Sequence, residues 1–164
     1  MDLPAIITPE LIGYLRALYR MDWHGIHGWP HWLRVWENGS RLAARTGADL
    51  TLVALFAFTH DVARLNDGWD VDHGRRAAEI IHDTLQGKVF QLNENDLNLL
   101  LDAVTRHSQG ILEADPTVQT CWDADRLDLG RVGYRPDPAL LCTPAARDPG
   151  IIEWAYERSL RWWE

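Results

Sequence analysis

Leu50-Thr51-Leu52-Val53-Ala54-Leu55-Phe56-Ala57-Phe58-Thr59-His60-Asp61 is the stretch on which the reading of this chain turns. A helix that buries such an apolar run has no packing reason to finish on two metal-binding side chains. Adjacent residues on a helix project about 100° apart. His60 and Asp61 can therefore share one metal only if the ion sits against the helix end, between the two directions.

Working outward, the pattern is helical in both directions. Thr8-Pro9-Glu10 is a helix start, with Thr as N-cap and Pro in the first turn, and Leu11, Ile12, Leu15, Leu18 and Tyr19 follow at helical spacing. Asp22 to Trp29 reads as a loop. Pro30 opens a helix through about Arg45 with Trp32, Val35, Trp36 and Leu42 on its apolar side, and Thr46-Gly47-Ala48-Asp49 ends it and caps the next. After the turn material Asn66-Asp67-Gly68-Trp69-Asp70, Asp72 caps a helix through about Leu85. Asn93 or Asn95 starts one leading to His107, and Asp115-Pro116 opens one through about Leu129. Gly130 to Pro149 is Gly- and Pro-rich and reads as irregular before a last helix, Ile151 to Trp163. Alternating strand-like runs are almost absent, so an all-α fold is expected.

The chain has 164 residues, nearly half apolar and nine of them Trp, enough for one domain with its own core. With 16 basic and 24 acidic residues the net charge is −8. The pI near 5.3 argues against a general nucleic-acid binder, which normally shows a basic face. It leaves room for a phosphorylated small substrate, because bound metal and a few arginines make a positive site inside an acidic protein. Lys88 is the sole lysine among the basic residues, which we read as base composition of the gene. Cys121 and Cys142 permit at most one disulfide, and Cys142 beside Leu140-Leu141 reads as a buried thiol. The start Met1-Asp2-Leu3-Pro4-Ala5 is not signal-like, and no stretch reaches the roughly 20 apolar residues that span a bilayer. A cytoplasmic protein without a membrane partner is expected.

Two further ligand types lie at a distance from the doublet. His31 stands in His27-Gly28-Trp29-Pro30-His31-Trp32-Leu33-Arg34-Val35, and Asp125 in Asp123-Ala124-Asp125-Arg126-Leu127-Asp128. Neutral imidazoles and ionised carboxylates are the donors a borderline or hard divalent ion takes. Each alone is weak evidence, since a lone His is more often an ordinary surface or core residue. The order His…His-Asp…Asp, with the string Ala124-Asp125-Arg126-Leu127, resembles the HD-domain superfamily of metal-dependent phosphohydrolases over roughly Trp23 to Gly133. The resemblance implies an HD-type helical bundle in one domain, residues 1–164. Its metal-site core covers about 23–133, and 134–164 is the irregular segment and closing helix.

It also implies a divalent metal (Mn, Fe, Co, Ni, Zn or Mg) held by His31, His60, Asp61 and Asp125, with Asp123 as a competing ligand. In two-metal members histidines at the places of His73 and His107 hold a second ion and the doublet aspartate bridges both. Otherwise these two histidines line the pocket. His82 sits mid-helix among apolar residues and is not expected as a ligand. His27 either reaches the pocket rim or is a plain loop residue. The metal would activate a water and polarise a phosphoryl oxygen. Arg34, Arg75, Arg76, Arg106 and Arg126, beside the ligands, are candidate phosphate clamps, because the planar fork pairs two oxygens at once. Asp128 either orients a ligand or Arg126 or is solvated.

Several relatives carry acids just after the doublet that act on the leaving group or the water. Here Val62-Ala63-Arg64-Leu65 follows and Asp67 is the nearest acid, so alarmone hydrolysis is not supported and the chain looks like the small stand-alone HD hydrolases. Trp23, Trp29, Trp32, Trp36, Trp69 and Trp122 read as core packing or as a wall for a nucleobase. Trp154, Trp162 and Trp163 read as packing of the last helix or a homodimer contact.

The expected activity is hydrolysis of a phosphate ester or anhydride of a nucleotide or other small metabolite. A diiron oxygenase using the same six ligands and a non-catalytic, metal-stabilised binding module are the alternatives.

Overall fold

The structure is a computed structural model and describes residues 3–161. Helix α3 (Leu50–Thr59) is the axis around which the rest is laid. Asp49 caps it through bonds accepted from the Thr51 and Leu52 amides, and every residue from Leu52 to Thr59 is buried. It packs against α2 (Trp29–Thr46), α5 (Glu94–Arg106) and α6 (Pro116–Arg126). Each fully buried Leu or Phe side chain contributes about 1.5–3 kcal/mol of transfer free energy, so Leu55, Phe56 and Phe58 fix the axial and rotational position of this helix, and of the doublet at its end.

Two glycines set the spacing of the packed helices. A Cβ on Gly39 of α2 would lie 2.5 Å from Val53 Cγ1, so α2 and α3 meet closely. A Cβ on Gly74 would lie 2.6 Å from the Val104 carbonyl oxygen. That bare position lets α4 (His73–Ile80) approach the last turn of α5. Thr8 caps α1 (Pro9–Leu18), Asn93 caps α5, Asp115 caps α6 and Asp148 caps α7 (Pro149–Ser159). Helices α1, α5 and α6 start where the sequence expects, and α7 starts at Pro149, two residues before the expected Ile151. No strand occurs among the described residues. The fold is all-α, and no helix of it is long and apolar enough to cross a membrane.

Three local expectations are corrected. The helix after the turn is α-helical only to Ile80 and continues as a π-helical turn, Ile81–Leu85, and Asp72 makes no side-chain capping bond. Helix α6 stops at Arg126 rather than near Leu129, and a 3₁₀ turn, Leu129–Val132, follows. The segment after it holds a second short 3₁₀ turn at Pro138–Leu140.

Buried apolar side chains form a main cluster from α1 to α6 and a smaller one joining Leu42 and Leu127 to Leu141, Ile151 and Ile152. Trp154 packs on the smaller cluster with the Arg41 and Arg158 guanidinium groups over its ring. Trp162 and Trp163 lie outside the described residues.

Candidate metal centre

Four helix ends meet at one point. His31 comes from the first turn of α2, His60 is the C-cap of α3, His73 opens α4 and His107 is the C-cap of α5. Asp61 follows His60 in the turn beyond α3, and Asp125 lies at the end of α6. At the doublet the α-helix gives way to i→i+3 turns, with the Val62 amide on the Thr59 carbonyl and the Arg64 amide on that of Asp61.

Hydrogen bonding behind each imidazole fixes its tautomer. His31 Nδ1 donates to Asp128 Oδ2 at 2.7 Å. His60 Nδ1 lies 3.2 Å from the carbonyl oxygens of Phe56 and Ala57, His73 Nδ1 bonds the Asp70 carbonyl, and His107 Nδ1 bonds the Val104 carbonyl at 2.7 Å. A carbonyl or carboxylate only accepts, so all four Nδ1 atoms carry the proton, and in the neutral imidazoles all four Nε2 atoms present lone pairs. Those lone pairs face one another. His31 Nε2 and His60 Nε2 are 3.1 Å apart, and His73 Nε2 and His107 Nε2 are 2.8 Å apart.

Asp61 stands between the two pairs. Its Oδ2 is 3.8 Å from His31 Nε2 and 3.7 Å from His60 Nε2. Its Oδ1 is 3.2 Å from His73 Nε2 and 3.6 Å from His107 Nε2. Asp125 Oδ1 completes the first group at 3.3 Å from His31 Nε2 and 3.8 Å from His60 Nε2. This oxygen is buried and has no hydrogen-bond partner. Two ligands about 2.1 Å from one ion, at angles between 90° and 109°, lie about 3.0–3.4 Å apart. Three of the donor pairs, at 3.1, 3.2 and 3.3 Å, fall in that range and the others, at 2.8 and 3.6–3.8 Å, lie just outside it, and the orphaned oxygen and the opposed lone pairs are both satisfied by a cation. His31, His60, Asp61 and Asp125 suit one ion, and Asp61, His73 and His107 a second, with one Asp61 oxygen toward each.

The electrostatics agree. Burial alone would raise the Asp61 carboxyl, but His60 beside it and contacts with His107, His27 and His73 hold it well below the carboxylate range. Burial opposes ionisation of Asp125 too, and His31, His60 and Arg131 reverse that. Burial pushes His60 down to about 3, so it stays neutral as a ligand must. For His107 burial is outweighed by the contact with Asp61 and the charge of Asp125, and its value rises. The carboxylates thus favour positive charge at this spot.

Groups outside the candidate ligands hold them in place. Asp128, buried with His31, accepts from Arg34 Nε at 2.6 Å and Nη2 at 3.0 Å. Asp61 accepts from Arg64 Nε at 3.0 Å and from His27 Nδ1 at 3.1 Å. Asp123 instead accepts from the Cys142 and Thr143 amides and the Thr143 hydroxyl, and so ties the segment after α6 to that helix. His82 is exposed and pairs with Asp83. The tryptophans mostly pack. Trp23 stacks on Trp29 and meets Trp32 edge-on, and Trp122 is buried with its indole N–H on the Ala103 carbonyl.

A cavity of about 700 Å³ opens onto Asp61, His107 and Asp125. Asp67 and Trp69 line it from the loop after α3, and Tyr134, Arg135 and Leu140 from the segment after α6. Trp69 is 90% exposed and Tyr134 69%. Of the five arginines expected at substrate, only Arg126 is in the lining. Arg34 is spent on Asp128, Arg75 pairs with Asp72 and Glu79 on the surface, and Arg106 pairs with Asp102. Arg76 is held by Asp70 and the Ala63 carbonyl and faces a separate cavity of about 380 Å³.

The sequence reading missed Arg64 and Arg131, which do line the larger cavity. The available signal was spacing, since each follows a buried aspartate, Asp61 or Asp128, by three residues. His27, left open between rim and loop, reaches Asp61.

The family model described as HD domain matches residues 28–130. In the solved structures, the chain is similar to a protein described as a predicted HD superfamily hydrolase from an uncultured Thermotogales bacterium. The two share 25% identity with a TM-score of 0.68, over 92% of this chain and 86% of the other. Among curated proteins none matches.

Proposed function

Because the chain belongs to the HD-domain family, we propose that it is a metal-dependent phosphohydrolase. Its substrate would be a phosphate ester or anhydride of a nucleotide or another small phosphorylated metabolite, cleaved by water. The observation that carries this reading is the pair of opposed imidazole couples, their lone pairs face to face at 3.1 and 2.8 Å with the Asp61 carboxylate between them. Such an arrangement is repulsive in itself and becomes favourable around cations.

His31, His60, Asp61 and Asp125 would hold one ion, and Asp61, His73 and His107 the other. When bound, the ions supply Lewis acidity toward a water and a phosphoryl oxygen. The chain's own residues set the charge of the site. With neutral imidazoles, the carboxylates of Asp61, Asp125 and Asp128 are balanced by Arg64, Arg131 and Arg34, which lie beside them. A divalent ion held there would add positive charge at the floor of the cavity beyond what these pairs balance, which suits an anionic substrate.

Asp67 lines that cavity and is our candidate for the proton delivered to the leaving group. An Asp67→Asn variant should keep its metal and lose about 100-fold or more in turnover; full turnover would remove Asp67 from that role. The mouth, with Trp69 and Tyr134, suits the flat end of a small molecule better than a polymer.

Two measurements test the reading: metal identity and stoichiometry on protein purified without chelators, and phosphate release across nucleotides and sugar phosphates. Metal-loaded protein that releases no phosphate from any of them overturns it. One observation favours a second reading. Asp61 offers a separate oxygen to each imidazole couple, as a diiron oxygenase also requires. Two irons per chain with O₂ uptake would establish that alternative, and bound metal with no turnover of either kind would leave a binding module.

A further inference from the structure

We propose that Arg131 is the residue that grips an oxygen of the substrate's phosphoryl group, a role that rests on the phosphohydrolase reading above. Arg131 lies in the 3₁₀ turn after α6, and its side chain is only 5% exposed. A guanidinium buried to this degree is costly unless its N–H groups are met. Two of them are. Nε donates to the Ile26 carbonyl at 2.9 Å and Nη1 to the Asp128 carbonyl at 3.0 Å. These carbonyls come from the loop before α2 and from the turn after α6, so they hold the guanidinium plane from two segments of the chain.

The third nitrogen is different. Nη2 makes no hydrogen bond among the described residues; its nearest carboxylate oxygen is Asp125 Oδ1 at 3.7 Å, beyond hydrogen-bond reach. Arg131 also lines the cavity above the candidate metal centre. A fixed cation therefore presents spare N–H donors beside the one buried candidate ligand oxygen that, among the described residues, has no hydrogen-bond partner. Once Asp125 is engaged by an ion, the remaining need of this guanidinium is an anionic oxygen from the cavity side. A phosphoryl oxygen meets that need with the short, charge-assisted bonds that guanidinium groups form. Arg64 is bonded in the same pattern, with Nε on Asp61 and Nη1 shared by the Asn66 and Gly68 carbonyls; Arg131 is set apart by its deeper burial, 5% against 12% exposed, and by its place beside Asp125 Oδ1.

The test uses the full chain loaded with the metal it carries on purification, with inorganic phosphate as the probe, titrated calorimetrically. Arg131→Gln should retain the metal and bind phosphate about 10- to 100-fold more weakly. Arg131→Lys keeps the charge but has no second nitrogen to present while anchored. It should retain the metal and weaken phosphate at least severalfold, so it stands in if the glutamine variant does not fold. Phosphate affinity within twofold of wild type in either metal-loaded variant overturns the proposal. So does a metal-loaded wild type that binds no phosphate. If wild type binds phosphate and the variants lose it, yet no phosphate ester is hydrolysed, the hydrolase reading fails while Arg131 stands as an oxyanion-binding residue.

Discussion

Replacing Asp128 with asparagine isolates how much the candidate centre owes to a residue that touches neither metal nor substrate. The carboxylate is buried, accepts His31 Nδ1–H at 2.7 Å and takes Arg34 through two bonds at 2.6 and 3.0 Å. Its charge is held in place despite burial by His31, Arg131 and Arg34. Asparagine keeps the shape but brings one acceptor oxygen and one donor amide. Either His31 loses its acceptor, or the 11% exposed Arg34 guanidinium meets a donor where it had an oxygen. Partners of this kind behind a metal ligand are worth about 10- to 100-fold in metal affinity, or about 1.4–2.7 kcal/mol. Leaving one member of a buried ion pair without its partner costs about 3–5 kcal/mol of stability. For a chain of this size each kcal/mol moves the melting temperature by about 2–4 °C. We therefore expect Asp128→Asn to melt at least about 6 °C lower in metal-free form, and to surrender its metal to a competing chelator about 10-fold more readily. The assays are thermal unfolding after metal removal and a chelator competition titration. A variant that matches wild type in both would refute the argument that Asp128 orients His31.

Three other outcomes follow from the same geometry. Asp61→Ala removes the oxygens facing both imidazole couples and should cost most of the bound metal by elemental analysis; full retention would sink the assignment. Gly74→Ala puts a methyl against the Val104 carbonyl, so α4 must retreat from α5. It should lose about 1–3 kcal/mol of stability and lower the metal stoichiometry more at the His73–His107 side than at the His31–His60 side, read by metal content per chain. The third concerns pH. Burial lowers His60 to about 3, against roughly 6.5 in an unfolded chain. The unfolded state thus takes up a proton that the fold refuses, and metal-free protein loses stability as pH falls below 6.5. From 6.5 to about 4.5, above the ordinary carboxylate range, His60 contributes up to about 1.4 kcal/mol per pH unit, and His27, also lowered by burial, acts in the same sense. His60→Asn should flatten the stability–pH curve in that window. An unchanged slope in denaturant melts would show that His60 does not carry it.

The all-α fold was legible because its signals are local. Thr8, Asp49, Asn93 and Asp115 cap the helices they precede, and an apolar run with no polar face, Leu52 to Phe58, has to be the buried axis. The convergence of His31, His60, Asp61, Asp125, His73 and His107 was legible too, from a resemblance in their order along the chain rather than from any spacing. Local rules failed where tertiary contacts decide. The π turn at Ile81–Leu85, which buries Ile81 and Leu85, and the end of α6 at Arg126 carry no signal in the local sequence pattern. Asp123 and Asp125 sit two residues apart in one string, yet one holds the Cys142–Thr143 backbone and the other faces the imidazoles, because they project to different sides of α6.

By itself, then, the sequence determined which helices form, which one is central, and which donors are available to a metal, since capping, periodicity and residue chemistry are written position by position. The tertiary structure alone decided the roles of the arginines. Arg34, Arg64, Arg126 and Arg131 differ little as sequence, each lying close to a candidate ligand. One anchors Asp128, one braces Asp61, one holds the wall carbonyls of Ile111 and Leu140, and one ties the Ile26 and Asp128 carbonyls together. A guanidinium is a long side chain with five donors, and its role is settled by the acceptors that the folded chain brings within reach.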